Sequence, residues 1–133
     1  MTAALRDEGS TLVESLVAVS ILGIAMTAMV GGMYTSVVAS DANRKHATAS
    51  THLASYAERV KADVYVGCAT SYAGAGFTLP AGYTKDAVVV SYWDGSTFAA
   101  TCTTDSGLQR VSLRIRSTDG RAVVDVDLAK RAA

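Results

Sequence analysis

The chain divides into stretches that differ in their pattern of apolar and polar residues. A short charged leader ends at Gly9, and a long apolar stretch then continues to about Val38. At about 1.5 Å per helical residue, this stretch is long enough to cross the hydrocarbon core of a bilayer, about 30 Å thick. The pattern therefore predicts a transmembrane helix over residues 10–38 and a separate part over residues 39–133.

The separate part begins with an amphipathic helical pattern that continues the membrane helix. Apolar residues recur there at helical spacing, namely Leu53, Tyr56, Ala57, Val60 and Val64. We expect a helix over residues 39–66, with Gly67 as its stop signal. Residues 67–86 lack a clear period and contain glycine and proline turn signals, which predict a loop with room for a short strand at Phe77–Leu79.

The alternation typical of an antiparallel sheet follows over residues 87–128. Asp94-Gly95 lies between two strand-forming runs and is a strong hairpin signal. A two-residue loop there would place one row of side chains on a common face: Val89, Ser91, Trp93, Phe98, Ala100 and Cys102. We expect this face to pack on the helix and to bring its cysteine near the core.

A second hairpin is predicted around Asp119-Gly120. Residues 109–116 and residues 122–128 both alternate cleanly between apolar and polar side chains. A two-residue loop sets three pairs opposite each other: Ile115 with Val124, Leu113 with Val126, and Arg114 with Asp125. The two apolar pairs would face the helix, and the third would form an ion pair on the solvent face.

Glu14 is the one full charge inside the apolar stretch. A carboxylate in a membrane helix costs about 2.5–3.5 kcal/mol on insertion scales, so it needs a cationic partner. Residues 15–38 contain no Lys, Arg or His. Cleavage after Gly9 would create an α-amine on Ser10, about one helical turn away on the same chain or within reach on a neighbouring copy. Glu14 therefore indicates both proteolytic cleavage after Gly9 and assembly with other copies of the chain.

The run Gly9–Glu14, followed by an apolar helix containing Gly23, resembles the class III signal of type IV pilins and type II secretion pseudopilins. This resemblance implies that a prepilin peptidase removes residues 1–9, that Ser10 becomes the N-methylated first residue, and that Glu14 acts in assembly. Phe or Met is usual at the first mature position. The proline that kinks the membrane helix of many major pilins is missing here.

The resemblance further implies a pilin-like α+β fold, in which a long N-terminal membrane-spanning helix packs on a small antiparallel β-sheet. It implies a structural subunit, and the small size and the serine at the first mature position favour a minor pilin. The expected partners are other pilin subunits, the prepilin peptidase, the pilus or secretion assembly platform and the membrane. The chain would be single-pass in the inner or cytoplasmic membrane before assembly, and then part of an extracellular or periplasmic filament.

Two cysteines, Cys68 and Cys102, lie beyond the apolar stretch. If that part is exported, a disulfide between them is the natural expectation. Closing a loop of about 35 residues would contribute on the order of 3–4 kcal/mol in the chain-entropy model. The alternative is a pair of buried free thiols.

The sequence shows no catalytic constellation, so we expect neither an enzyme nor a cofactor. His46 and His52 fall about 120° apart on a helix and do not form a metal pair, so no metal site is expected. Four arginines give a candidate binding face: Arg110, Arg114, Arg116 and Arg121. A filament-displayed module for DNA or a surface is the alternative function. The zero net charge and nearby Asp125 and Asp127 favour a solvated, balanced face, without nucleic acid as a partner.

Two other interpretations of the N-terminus stay open. One is a cleaved secretory signal ending at Ala39, but the apolar run is longer than such signals have, and Glu14 lies inside it. The other is a simple single-pass anchor that is never processed. Arg44 and Lys45 flank the far end of the stretch, so charge alone does not favour the expected orientation.

Overall fold

A computed structural model describes residues 8–132, with side chains from Thr11 onward. The chain forms two compact units, Met1–Ser40 and Asp41–Ala133, so the division lies close to the predicted one. One helix, α1, runs Glu8–Ala62 and supplies residues to both units. The predicted leader lies outside the described residues except for the backbone of its last two positions.

In the first unit, α1 is helical throughout the described residues. Its hydroxyl groups donate to backbone carbonyls one turn earlier, as in Ser15 to Thr11 and Ser20 to Leu16, both 2.8 Å. Thr27 and Thr35 do the same, at 2.8 Å and 2.9 Å. These hydroxyls are therefore satisfied within the helix, which is the condition for a polar group to lie in hydrocarbon.

In the second unit, α1 ends at Ala62, four residues before the predicted end at Val66. The ammonium of Lys130 donates to the carbonyls of Val60 (2.8 Å) and Lys61 (3.2 Å) in the last turn. This buried side chain satisfies carbonyls that a helix end leaves without partners. Val64, predicted to join the apolar row, is 82% exposed because the helix has already stopped.

Five antiparallel strands form one sheet: β1 Tyr83–Lys85, β2 Val89–Trp93, β3 Phe98–Ala99, β4 Leu108–Ser117 and β5 Val123–Arg131. Strand β4 lies in the middle, with β5 along one side and with β1 and β2 along the other. Strand β3 pairs with β2. The core lies between this sheet and the α1 residues Ala49, Leu53, Tyr56, Ala57 and Val60.

The β4–β5 hairpin confirms the predicted register. Ile115 lies opposite Val124, Leu113 opposite Val126, and Arg114 opposite Asp125. The β4 members of the two apolar pairs are fully buried. The connecting turn is wider than the predicted two residues, because the strands stop at Ser117 and Val123.

The first hairpin contradicts the predicted face. Val90 and Tyr92 point to the core, whereas Val89 is exposed. Pairing with β4 explains the difference, because Val90 lies opposite the buried Val111, and opposite residues share a face. The turn also holds four residues rather than two, since Trp93 pairs with Phe98.

The predicted loop over residues 67–86 contains a strand at a different place from the one expected. Strand β1 occupies Tyr83–Lys85, and Phe77–Leu79 is not a strand. Phe77 instead stacks on the ring of Tyr56, with ring centroids 4.5 Å apart. The loop therefore contributes to the core by aromatic packing on the helix.

Candidate functional site

The N-terminal helix presents an apolar surface without a covering layer. Its most apolar 18-residue window has a mean hydropathy of 2.1, and none of that window is buried within the described part of the chain. The helix is long and apolar enough to cross a membrane, by length and composition. A continuous exposed surface of this kind indicates a membrane or a protein partner.

Glu14 lies near the start of this surface, and its side chain is exposed. Among the side chains described, from Thr11 to Ala132, it forms no ion pair. Gly9 and Ser10, the predicted cleavage residues, have helical backbone, and the Ser10 side chain lies outside the described part. The charge therefore lacks a described partner within its own chain.

Cys68 and Cys102 form a disulfide, as predicted, with their Cα atoms 5.6 Å apart. The bridge joins the segment after α1 to the segment before β4. Cys102 also packs against the core, which confirms its predicted place. A structural disulfide is typical of an oxidising compartment.

Asp105 lies beside the disulfide and was not identified from the sequence. Its carboxylate accepts hydrogen bonds from the Tyr65 hydroxyl (2.5 Å) and from the N–H groups of Cys68 and Gly107 (both 2.7 Å). These donors, the Tyr65 hydroxyl first, lower the pKa of Asp105 to about 2. The Asp-Ser-Gly turn signal after Cys102 could have indicated a turn here, but not donors from distant residues.

Within the described residues, one group of three side chains has metal-ligand spacing: Cys68, Cys102 and Asp105. Both sulfur atoms of that group are joined in the disulfide. A disulfide sulfur is not a thiolate, and the thiolate is the form that binds metals. The group therefore acts as a structural link between the segments before and after the strands β1–β3.

The four arginines do not form one continuous basic face. Arg116 forms a bidentate ion pair with Asp86, and Arg121 pairs with Asp41 (3.1 Å). Arg110 places its guanidinium over the ring of Phe98, 4.9 Å from the centroid.

Arg114 faces Asp125 in register, but the predicted ion pair between them is not formed. The described side chains offer Arg114 no other ion pair. Asp127, on the same face, accepts a hydrogen bond from the hydroxyl of Ser112 at 2.5 Å. The sequence pattern set which residues face each other, but not how their side chains turn.

A second charge cluster ties the β4–β5 turn to the helix in the second unit. Lys45 forms ion pairs with Asp41 (2.9 Å) and with Asp119, and Arg121 lies beside the same two carboxylates. The hydrogen bond from Lys45 is the largest cause that lowers the pKa of Asp119. Arg121, one of the four arginines of the predicted binding face, is thus part of an ion-pair cluster.

Comparison of the chain with protein-family models, with curated proteins and with solved structures found no match.

Proposed function

We propose that the chain is a pilin-like structural subunit, processed after Gly9 and assembled through its N-terminal helix into a type IV pilus or a type II secretion pseudopilus. The observation that carries this proposal is Glu14. It is a lone carboxylate in an exposed apolar helix, five residues after a glycine, with no ion-pair partner among the described side chains.

In this proposal, the processed helix first lies in the membrane and then moves into the core of a filament. Copies bury their apolar faces against one another there, because each copy leaves that face uncovered. Glu14 pairs with the α-amine of Ser10 on a neighbouring copy, and this pair fixes the axial register between subunits. A minor subunit fits the small size of the chain and the serine at the first mature position.

The second unit supports the proposal through its disulfide. Cys68 and Cys102 are bridged, and such bridges persist outside the reducing cytoplasm. The unit also has its own core between helix and sheet, as a domain displayed on a filament needs. The ion pairs of two arginines, Arg116 and Arg121, disfavour the alternative of a DNA-binding module.

Mass spectrometry of the mature N-terminus tests the proposal. We expect a product that begins at methylated Ser10 in cells with a prepilin peptidase, and an intact chain in cells without it. A chain that keeps Met1 in both hosts would indicate a simple membrane anchor. A product that begins at Ser40 would indicate an ordinary secretory signal, and either result would overturn the proposal.

A further inference from the structure

Strand β5 has a free edge. Among the described residues, 8–132, it pairs with β4 alone. The N–H of Asp86, on the other side of β4, donates to the carbonyl of Arg114 at 3.0 Å. The Arg114 carbonyl therefore points away from β5. Because facing residues of an antiparallel pair exchange both backbone hydrogen bonds or neither, Arg114 and Asp125 exchange neither. The N–H and C=O of Asp125 therefore point away from β4, and by alternation so do those of Val123 and Asp127.

An apolar groove runs beside this edge, on the side of the sheet that faces the helix. Its volume is about 500 Å³, and it is lined by Ser50, Leu53, Ala54, Ala57 and the β5 residues from Val123 to Val126. Val124 and Val126 point into it and are only partly buried. The helix residues that border it have small or apolar side chains, so space remains for an added row of side chains.

On the other face, the centre of the same edge carries two carboxylates, with Arg114 behind them on β4 and Arg131 at the end of β5. Asp125 and Asp127 are exposed there, and neither forms an ion pair within the described part of the chain. A strand added to β5 would thus meet carboxylates on one face and an apolar groove on the other. Since side chains alternate between faces, the matching strand alternates basic and apolar residues.

A second copy of β5 does not meet this requirement. An antiparallel pairing centred on Val126 sets Asp125 opposite Asp127, and one centred on Asp127 sets that residue opposite its own copy. Pairings centred on Leu128 or Ala129 bring Arg131 opposite an aspartate, but they set Lys130 opposite an apolar residue of β5. Like charges directly opposite each other destabilise a sheet. Self-pairing therefore either opposes like charges or sets a lysine against an apolar position, which leaves the edge to a partner with basic and apolar residues in alternation.

We propose that the free edge of β5 binds an extended segment of a partner protein with alternating basic and apolar side chains. The backbone groups of Val123, Asp125 and Asp127 pair with the added strand, the two carboxylates face its basic residues, and the groove holds its apolar residues. This inference does not depend on cleavage at Gly9 or on assembly through the N-terminal helix.

Amide hydrogen exchange of the full chain in detergent micelles tests this proposal, with a short peptide of alternating Lys and Val as the probe. We expect new protection at the N–H groups of Val123, Asp125 and Asp127. The N–H groups of Val124 and Val126 face β4 and should change little. A peptide of alternating Glu and Val, and a Lys–Val peptide N-methylated on the amides that would face β5, are the controls and should give no protection.

A pair of variants then distinguishes recognition of the Asp125 carboxylate from non-specific attraction of the basic peptide to any surface carboxylate. Asp125→Asn should weaken binding of the Lys–Val peptide about threefold, the effect of one cross-strand charge pair. Glu58→Gln removes one carboxylate from the exposed helix surface and should leave the affinity unchanged. No protection by the Lys–Val peptide, or equal protection by the Glu–Val peptide, would overturn the proposal. Protection of the same amides without peptide, growing with protein concentration, would assign the edge to a second copy instead.

Discussion

Residues of the same type have opposite environments in the two units. Tyr34 is 72% exposed in the first unit, whereas Tyr56 is 1% exposed in the second. Ile21 is 62% exposed, whereas Ile115 is fully buried. The second unit thus buries its own apolar side chains, whereas those of the first unit are exposed. The difference indicates that whatever covers the apolar side chains of the first unit lies outside the described chain.

Loss of the disulfide should have the largest effect on stability, and only in the second unit, because it links segments of that unit alone. Replacing both Cys68 and Cys102 with Ser should lower the free energy of unfolding of that unit by about 3–4 kcal/mol in the chain-entropy model. Denaturant unfolding of the full chain in micelles measures the change. An unchanged unfolding midpoint would contradict the predicted loss of stability. A variant that no longer enters membranes would contradict its restriction to the second unit.

A matched pair of truncations tests the burial difference directly. Ile115→Ala removes buried methyl groups and should lower the free energy of unfolding of the second unit by about 3 kcal/mol. Ile21→Ala should change it by less than about 0.5 kcal/mol, because that side chain contacts no core. Equal losses from the two variants would contradict the division into a self-contained unit and an uncovered helix.

The smallest expected effect is the pH dependence of the second unit. Hydrogen bonds lower the pKa of Asp105 and of Asp94 to about 2 from the ordinary value of 3.8. As the pH falls, these two carboxylates are protonated in the unfolded chain before they are protonated in the folded chain. The stabilisation is therefore complete above about pH 4 and is lost as the pH falls from 3.8 toward 2.

Urea unfolding at a series of pH values measures this loss. The variant Asp105→Asn cannot titrate at this position, so it should be less stable at pH 5 and should lose less on acidification than the original chain. An identical pH slope for the variant would show that Asp105 does not contribute to the acid sensitivity.

The sequence predicted features whose causes are local. The extent of the apolar helix follows from residue type, and the β4–β5 register follows from two strands that are patterned on both faces. Pairing Ile115 with Val124 is the arrangement that buries both apolar rows at once. The disulfide followed from two cysteines and an expected exported domain.

The features that were missed depend on residues far apart in sequence. The end of α1 depends on Lys130, 70 residues beyond Val60. The face of β2 depends on pairing with β4, because β4 already has its apolar row turned toward the helix. Asp105 gains its role from Tyr65, 40 residues earlier. Such long-range contacts cannot be predicted from a local sequence pattern.

Assembly through the uncovered helix is proposed to depend on the charge of Glu14. The variant Glu14→Gln keeps the shape of the side chain and removes its charge, and Glu58→Gln is a matched control on the second unit. The measurement is the ratio of processed protein in sheared filaments to processed protein in membranes. Cleavage after Gly9 should continue in both variants.

We expect Glu14→Gln to lower this ratio by about tenfold or more, because the Ser10 amine of the neighbour would lose its counter-charge in a low-dielectric core. The control should keep the original ratio. If Glu14→Gln enters filaments as well as the original chain does, the charge-pairing account is contradicted, and Glu14 then lies at the membrane interface without a partner.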